Sequence, residues 1–305
     1  MKDPIILRVS ESATRLDRYI VAHQPDLSRS EVQRLIKSER VWVNDRPTKA
    51  SYCPVPGDVI RIELLSRFTS FPAAETIPLQ IVFEDETLLV INKPPGLVVH
   101  PGPGHPSGTL VNALLAYRPD IARADLDRQR PGIVHRLDQD TSGLLVVAVN
   151  RAAQSALQAQ FKSREVQKTY LGLVYGQLSP TEAAIEAPIG RDPKDRKRMK
   201  VLREGGRYAR TEYRVREYLP GATFVEARLL TGRTHQLRVH FSSIGYPVVG
   251  DRIYGPRRQR IEAPRQFLHS WSLQLIHPVT QEEMRFNASL PQDLEAVLRS
   301  LRSHA

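Results

Sequence analysis

After residue 78 the chain carries apolar stretches of strand length, and helical patterns break into them at irregular intervals. Strand-like runs cover 81–83, 88–91, 144–149, 169–175, 211–215 and 224–230. Helical spacing covers 152–161, 234–242 and 292–301. Strands follow one another without an intervening helix, so a doubly wound parallel sheet, which needs regular alternation, is excluded. The order predicts an α+β domain over 79–301. No internal repeat or low-complexity tract interrupts it.

A smaller unit precedes it, over 10–65. Leu16, Tyr19 and Ile20 have helical spacing, as do Val32, Leu35 and Ile36 after the capping-box pattern Ser28-Arg29-Ser30-Glu31. Val41-Trp42-Val43 reads as a short strand closed by the turn-prone Asn44-Asp45. Pro56-Gly57-Asp58 makes a second turn before the alternating run 59–64. Residues 66–78 have no clear period and hold two prolines, which predicts a linker.

Charge narrows the partners. Lys and Arg number 44 against 33 Asp and Glu, a formal net charge of +11. That excess favours polyanions through steering and counterion release. It is also clustered: residues 191–200 hold Arg191, Lys194, Arg196, Lys197, Arg198 and Lys200, and Arg257, Arg258 and Arg260 form a second group. A solvated basic loop explains either cluster alone; both together predict a nucleic-acid partner. No apolar run approaches the roughly 18 residues that cross a bilayer, so no membrane association is expected. The first residues lack a signal-peptide pattern, and the single Cys53 forms no internal disulfide, so a cytoplasmic location is expected. Cys53 reads as an incidental structural thiol.

The densest polar sequence between apolar segments runs from 131 to 150. His135, Arg136, Asp138, Asp140, Thr141 and Ser142 crowd a short loop, and an apolar strand follows at once. Such a strand holds reactive groups rigidly. Periodicity alone does not say which carboxylate reacts. His235 and His240 are five apart, off the i, i+4 spacing of a zinc-binding helix, so no metal is expected. Gly102-Pro103-Gly104 precedes no βα turn and is a poor nucleotide fingerprint.

His135-Arg136-Leu137-Asp138 followed by Asp140-Thr141-Ser142-Gly143-Leu144-Leu145 resembles the signature of the RluA/RluD-type pseudouridine synthases. The likeness extends to Asn92-Lys93-Pro94, Lys168-Thr169-Tyr170, the run from Thr231 to His240, Gly250-Asp251, Tyr254-Gly255 and Leu268-His269, in family order. The N-terminal unit resembles an S-four RNA-binding module at Arg15-Leu16-Asp17, Leu27 to Ser30, Val41 to Asn44 and Gly57-Asp58. Two glycines common in that module are replaced by Arg40 and Asp45, and Tyr246 stands where the synthase pattern usually has His.

The resemblance implies a mixed or antiparallel catalytic sheet and isomerisation of uridine to pseudouridine in structured RNA. It points to the branch acting on large-subunit ribosomal RNA. It assigns Asp138 as the catalytic carboxylate, Arg238 as the arginine that pairs with it, and Tyr170 as the active-site tyrosine. Thr234 is expected four positions before Arg238 on the same helix, and Leu237 would pack on the base. Arg136 would fill the gap left by a flipped nucleotide, with a salt bridge to Asp138 or Asp140 as its alternative. Asp138 would attack sugar or base covalently, or act as a base on the sugar. Arg15, Arg29, Lys37, Lys197 and Arg198 are the expected RNA contacts. No cofactor is required, since nothing is oxidised and no water enters the product. A monomer is expected. Two alternatives remain: a transfer-RNA pseudouridine synthase, and a non-catalytic RNA-binding ribosome-assembly factor.

Overall fold

The computed structural model describes residues 4–304 except 26, 28, 65–70, 125, 127–129 and 196–197. It forms two compact units, Met1–Phe71 and Pro72–Ala305.

In the first unit, strands β1 (Ile5–Arg8), β2 (Val41–Val43), β3 (Arg46–Pro47) and β4 (Val59–Ile62) pair antiparallel in the order β1-β4-β2-β3. Helices α1 (Leu16–His23) and α2 (Arg29–Lys37) share its core: Leu16, Ile20, Val32, Leu35, Val41, Ile60 and Ile62 are fully buried. Burial of such a side chain contributes about 1.5–3 kcal/mol. The β2–β3 hairpin needs two left-handed residues, and Asn44 (φ 49°) and Asp45 (φ 60°) supply them. Asp45 thus does the work of the absent glycine, because a short polar side chain tolerates this backbone. Strand β1 lies on the edge beside β4 and precedes the stretch read from sequence. The predicted cap at Ser28 lies outside the described residues.

The second unit is built on a mixed nine-stranded sheet. Its strands are β5 (Ile81–Glu84), β6 (Leu88–Lys93), β7 (Ser142–Ala148), β8 (Gln167–Tyr175), β9 (Glu182–Glu186), β12 (Arg210–Leu219), β13 (Ala222–Leu229), β14 (Leu268–Ile276) and β15 (Glu283–Asn287). They run β5-β6-β7-β14-β8-β13-β12-β9, with β15 beside β14. All pairings are antiparallel except β7 with β14. A small hairpin, β10 (Ile189–Arg191) and β11 (Met199–Val201), stands apart. Every residue of β7 is buried, which explains its uninterrupted apolar reading: it is a central strand covered on both faces. One face packs Leu144 and Val146 against Leu157 of α4 (Arg151–Ser163).

At the start of β7, Gly143 has φ 110°, and a Cβ there would lie 2.3 Å from the Ser270 carbonyl oxygen. Only glycine lets β7 approach β14 this closely, so the loop before β7 is fixed against the sheet. The stretch expected as a linker, 66–78, runs across the division between units. Its described end is held by the second one, where Asn112 Nδ2 donates to the Ala73 carbonyl (2.8 Å) and the Glu75 amide donates to the Asn112 carbonyl (3.0 Å). Asn112 lies on α3 (Leu110–Tyr117), a helix buried so widely that its sequence shows no polar face. The remaining helices are α5 (Gln236–Ser243) and α6 (Gln292–Arg302).

Candidate active site

Loop 134–141 ends where β7 begins, and three buried side chains from two segments hold it. Lys93, at the end of β6, is fully buried and donates to the carbonyls of Pro94 (2.7 Å), Leu97 (2.9 Å) and Gln139 (2.9 Å). Burial, then the nearby Arg265 charge, pushes its ammonium down to about 7. Arg265 Nη1 donates to the Asp140 carbonyl (2.8 Å), while its Nε is paired with Asp293 (2.7 Å) on α6. Gln266 Nε2 donates to Thr141 Oγ1 at 2.8 Å. The Thr141 amide closes a turn onto the Asp138 carbonyl at 3.1 Å. With its backbone held this way, the loop fixes the Asp138 side chain.

The Asp138 carboxylate accepts through Oδ2 from Arg238 Nη1 at 3.2 Å. Its Oδ1 has no hydrogen bond among the described residues, and 19% of the side chain is exposed. Arg238, on α5, is anchored from behind: Nε and Nη2 donate to Asp251 Oδ2 (2.7 Å) and Oδ1 (2.9 Å) in a bidentate pair. Asp251 is fully buried and also accepts from the Ile253 and Tyr254 amides. Burial works against both charges, but their contact offsets it, so the arginine lies above and the aspartate below its ordinary pKa.

The turn into α5 differs from the sequence reading. The helix begins at Gln236, so Thr234 lies before it, and His235 takes a left-handed conformation (φ 56°). The buried Gln236 side chain causes this: it accepts from Thr231 Oγ1 (2.8 Å) and the Arg233 amide (3.0 Å), and donates to the Arg210 carbonyl (2.9 Å). A 234–242 pattern shows apolar spacing but not a side chain that delays the start of the helix. His235 Nδ1 lies 2.8 Å from the Tyr254 hydroxyl, which accepts from the Met199 amide at 2.8 Å.

Around Asp138 the described residues line two hollows, of about 480 and 360 Å³. Arg136, Leu137, Asp138, His235 and Arg238 line both, so the carboxylate stands where they meet. Tyr170 (β8), Leu237 (α5) and Leu268 (β14) line the larger one. Tyr170 is buried, and burial pushes its phenol well above its ordinary pKa, with the Asp138 charge adding to the effect. His135 lies beneath. Its Nε2 accepts from the Val146 amide (2.9 Å) and burial pushes the imidazole down to about 3, so it stays neutral.

Arg136 is exposed and forms no ion pair with Asp138 or Asp140 among the described residues. Arg15 and Arg29 lie in the first unit, both bonded to Asp17, and Lys37 is exposed at the end of α2. Arg198 is exposed beside β11, with its guanidinium 5.3 Å from the Tyr254 ring centre; Lys197 lies outside the described residues. Among the described residues no three His, Cys, Asp or Glu side chains gather as a metal site. No helix there is long and apolar enough to cross a membrane.

Sequence reasoning gave Lys93 and Asp251 only as parts of motifs, and did not mention Arg265. A lysine at the end of the apolar run Leu88-Leu89-Val90-Ile91 was the available signal for Lys93. None existed for Arg265, whose contact with Asp140 spans 125 residues.

Residues 87–243 match the family model described as RNA pseudouridylate synthase, and residues 14–60 match the S4 domain. An uncharacterized RNA pseudouridine synthase of Chloroflexus aurantiacus is 48% identical over 301 residues, covering 99% of this chain and 94% of that one. Ribosomal large subunit pseudouridine synthase D of Nitrosomonas europaea is 42% identical, covering 95% and 85%. The solved structure of human RNA pseudouridylate synthase domain containing 1 superposes with a TM-score of 0.57 at 29% identity, over 75% of this chain and 97% of that one.

Proposed function

We propose that this chain, which belongs to the RNA pseudouridylate synthase family, isomerises uridines of large-subunit ribosomal RNA to pseudouridine, with Asp138 as the reacting carboxylate. Membership gives the reaction: the N1–C1′ bond of a uridine breaks, the base turns while held, and a C5–C1′ bond forms. The target RNA rests on the named relatives of the large-subunit type, such as that of Nitrosomonas europaea, and on the S4 domain.

One observation carries the assignment of Asp138. Its carboxylate has one oxygen bonded to Arg238 and the other unclaimed, facing a hollow wide enough for a nucleotide base. A carboxylate so placed is oriented and free to react with the sugar or base. Arg238 supplies fixed positive charge beside it, and Asp251 keeps that guanidinium from swinging away.

The other residues take supporting roles. Tyr170 and Leu237, which line the same hollow as Asp138, provide faces against which the uracil packs. Extruding the base costs a few kcal/mol of stacking. Arg136, exposed and unpaired with the nearby aspartates, is suited to stack where the base has left.

Tritium release from large-subunit ribosomal RNA transcripts labelled at uridine C5 tests the reading. The unaltered protein releases tritium, and Asp138→Asn releases none while still binding the transcript. Near-normal release by Asp138→Asn removes Asp138 from the reaction. Mapping pseudouridine in cells with and without the gene tests the target: loss confined to transfer RNA overturns the ribosomal assignment.

A further inference from the structure

One wall of the larger hollow carries Lys162, Arg164, Lys168, Arg207 and Arg233, and among the described residues none of the five forms an ion pair. Asp138 is the only carboxylate lining that hollow among the described residues, and it is turned to Arg238. Chain order does not group these cations. Lys162 ends α4, Arg164 caps it, Lys168 opens β8, Arg207 precedes β12 and Arg233 precedes α5.

Two contacts fix the cluster in place. Arg233 Nε donates to the Tyr208 carbonyl at 2.9 Å, and the Arg164 guanidinium lies 5.5 Å from the centre of the Tyr208 ring. The Lys168 ammonium would lie 3.9 Å from a Cβ on Gly232, the residue before Arg233. The cations press on one another. Burial and then Arg233 push Lys168 down to about 8, and burial, Arg207 and Arg164 push Arg233 below its ordinary range.

Like charges held together without a counter-ion raise the energy of the free protein. Several arginines elsewhere have carboxylate partners, Arg118 with Glu84 and Asp120, Arg210 with Glu186 and Glu212, Arg216 with Glu226, and these five cations have none among the described residues. The wall is therefore complete only with an anion. We propose that it is a phosphodiester subsite, gripping at least two backbone phosphates of the RNA beside the uridine whose base enters the hollow. The inference rests on the RNA-modifying reading and adds where the strand runs: over the α4 end and the turns before β12 and α5. Because phosphates carry no sequence, the wall contributes affinity and register alike for every RNA.

The test neutralises two of the three exposed members, the arginines. Arg164→Gln/Arg207→Gln is compared with Arg285→Gln/Arg299→Gln, which removes the same charge from exposed positions that do not line the hollow. Binding of a large-subunit ribosomal RNA transcript to the full chain is titrated with KCl. The wall variant binds more weakly, and its log–log salt slope falls by about 1.4–1.8, since each lost phosphate contact removes about 0.7–0.9. An unchanged slope overturns the proposal, as does an equal fall in the control variant. A short RNA carrying single neutral methylphosphonate linkages locates the contacts. One or two linkages weaken binding to the unaltered chain and not further to the wall variant; equal weakening of both overturns the assignment. Tritium release by the unaltered chain is scored separately. Its absence defeats the catalytic reading, while the salt slopes still report on the wall.

Discussion

Asp17 in the N-terminal unit and Asp138 in the second unit both lie against arginine, and the two clusters are inverted. Asp17 is fully buried, and its oxygens accept from Arg15 (2.8 and 3.2 Å), Arg29 (2.9 Å) and Gln33 (2.6 Å). The arginines stand outside it, 36% and 49% exposed. Asp138 is 19% exposed and accepts one hydrogen bond, whereas Arg238 is 6% exposed and locked to Asp251. In the first cluster the anion is the anchor and cations face outward, as suits a surface that meets phosphate. In the second the cation is the anchor and a carboxylate faces outward, as suits a group that reacts. Whether an aspartate is structural or reactive depends on how many of its lone pairs the protein claims, not on the identity of its partner.

The largest effect expected of this contrast is at Asp138. Asp138→Asn lowers turnover by at least about 10⁴-fold, as removal of a reacting group does elsewhere, and leaves the thermal midpoint near that of the unaltered chain. A variant that unfolds as well would make Asp138 an anchor like Asp17.

Next comes Arg238→Met, which lowers the single-turnover rate at saturating enzyme by about 10²–10³-fold. It also leaves Asp251 buried without its cation, which costs about 3–5 kcal/mol of stability. Adding Asp251→Asn restores most of that stability and none of the rate. Recovery of both would reduce Arg238 to a structural role.

Removing residues 1–71 sharpens the division between the units. The remaining chain, which keeps its own sheet and core, converts uridines at saturating RNA but binds more weakly. Loss of Arg15, Arg29 and Lys37 flattens the salt slope by about 2–3. A folded truncation with an unchanged slope would place the RNA contacts elsewhere.

The smallest effect on turnover is that of Asp17→Asn, which instead destabilises the first unit by about 1–3 kcal/mol, since partly exposed arginines regain water. Hydrogen bonds from Arg15, then Gln33 and Arg29, hold the Asp17 carboxyl well below its ordinary range. A depressed folded pKa means that the stabilisation is complete above the unfolded value of about 3.9 and is lost as pH falls through the folded one. Fluorescence of Trp42, in the first unit, followed into acid should show a steeper loss of stability in the unaltered chain than in Asp17→Asn. Parallel acid limbs would show that Asp17 contributes nothing through its charge.

The sequence by itself determined the parts that depend on near neighbours. The period of Val32, Leu35 and Ile36 marks a helix, and the unbroken run Leu144 to Val149 marks a strand covered on both sides. The close spacing of His135, Arg136 and Asp138 before that strand marks a polar loop, which lines the hollows. Only the tertiary structure decided what crosses the sheet. Strand β14 was not legible, because His269, Ser270 and Ser272 interrupt its apolar pattern. They are tolerated inside because Ser142 Oγ meets His269 Nδ1 at 2.9 Å, the Ala288 carbonyl meets His269 Nε2 at 3.0 Å, and Ser270 donates to the Leu144 carbonyl at 3.0 Å. The same holds for Lys93, Arg265 and the cationic wall. A buried polar group costs free energy until a partner arrives, and here each has a distant one: the Gln139 carbonyl lies 46 residues from Lys93, and the Asp140 carbonyl 125 from Arg265. No local pattern carries that information.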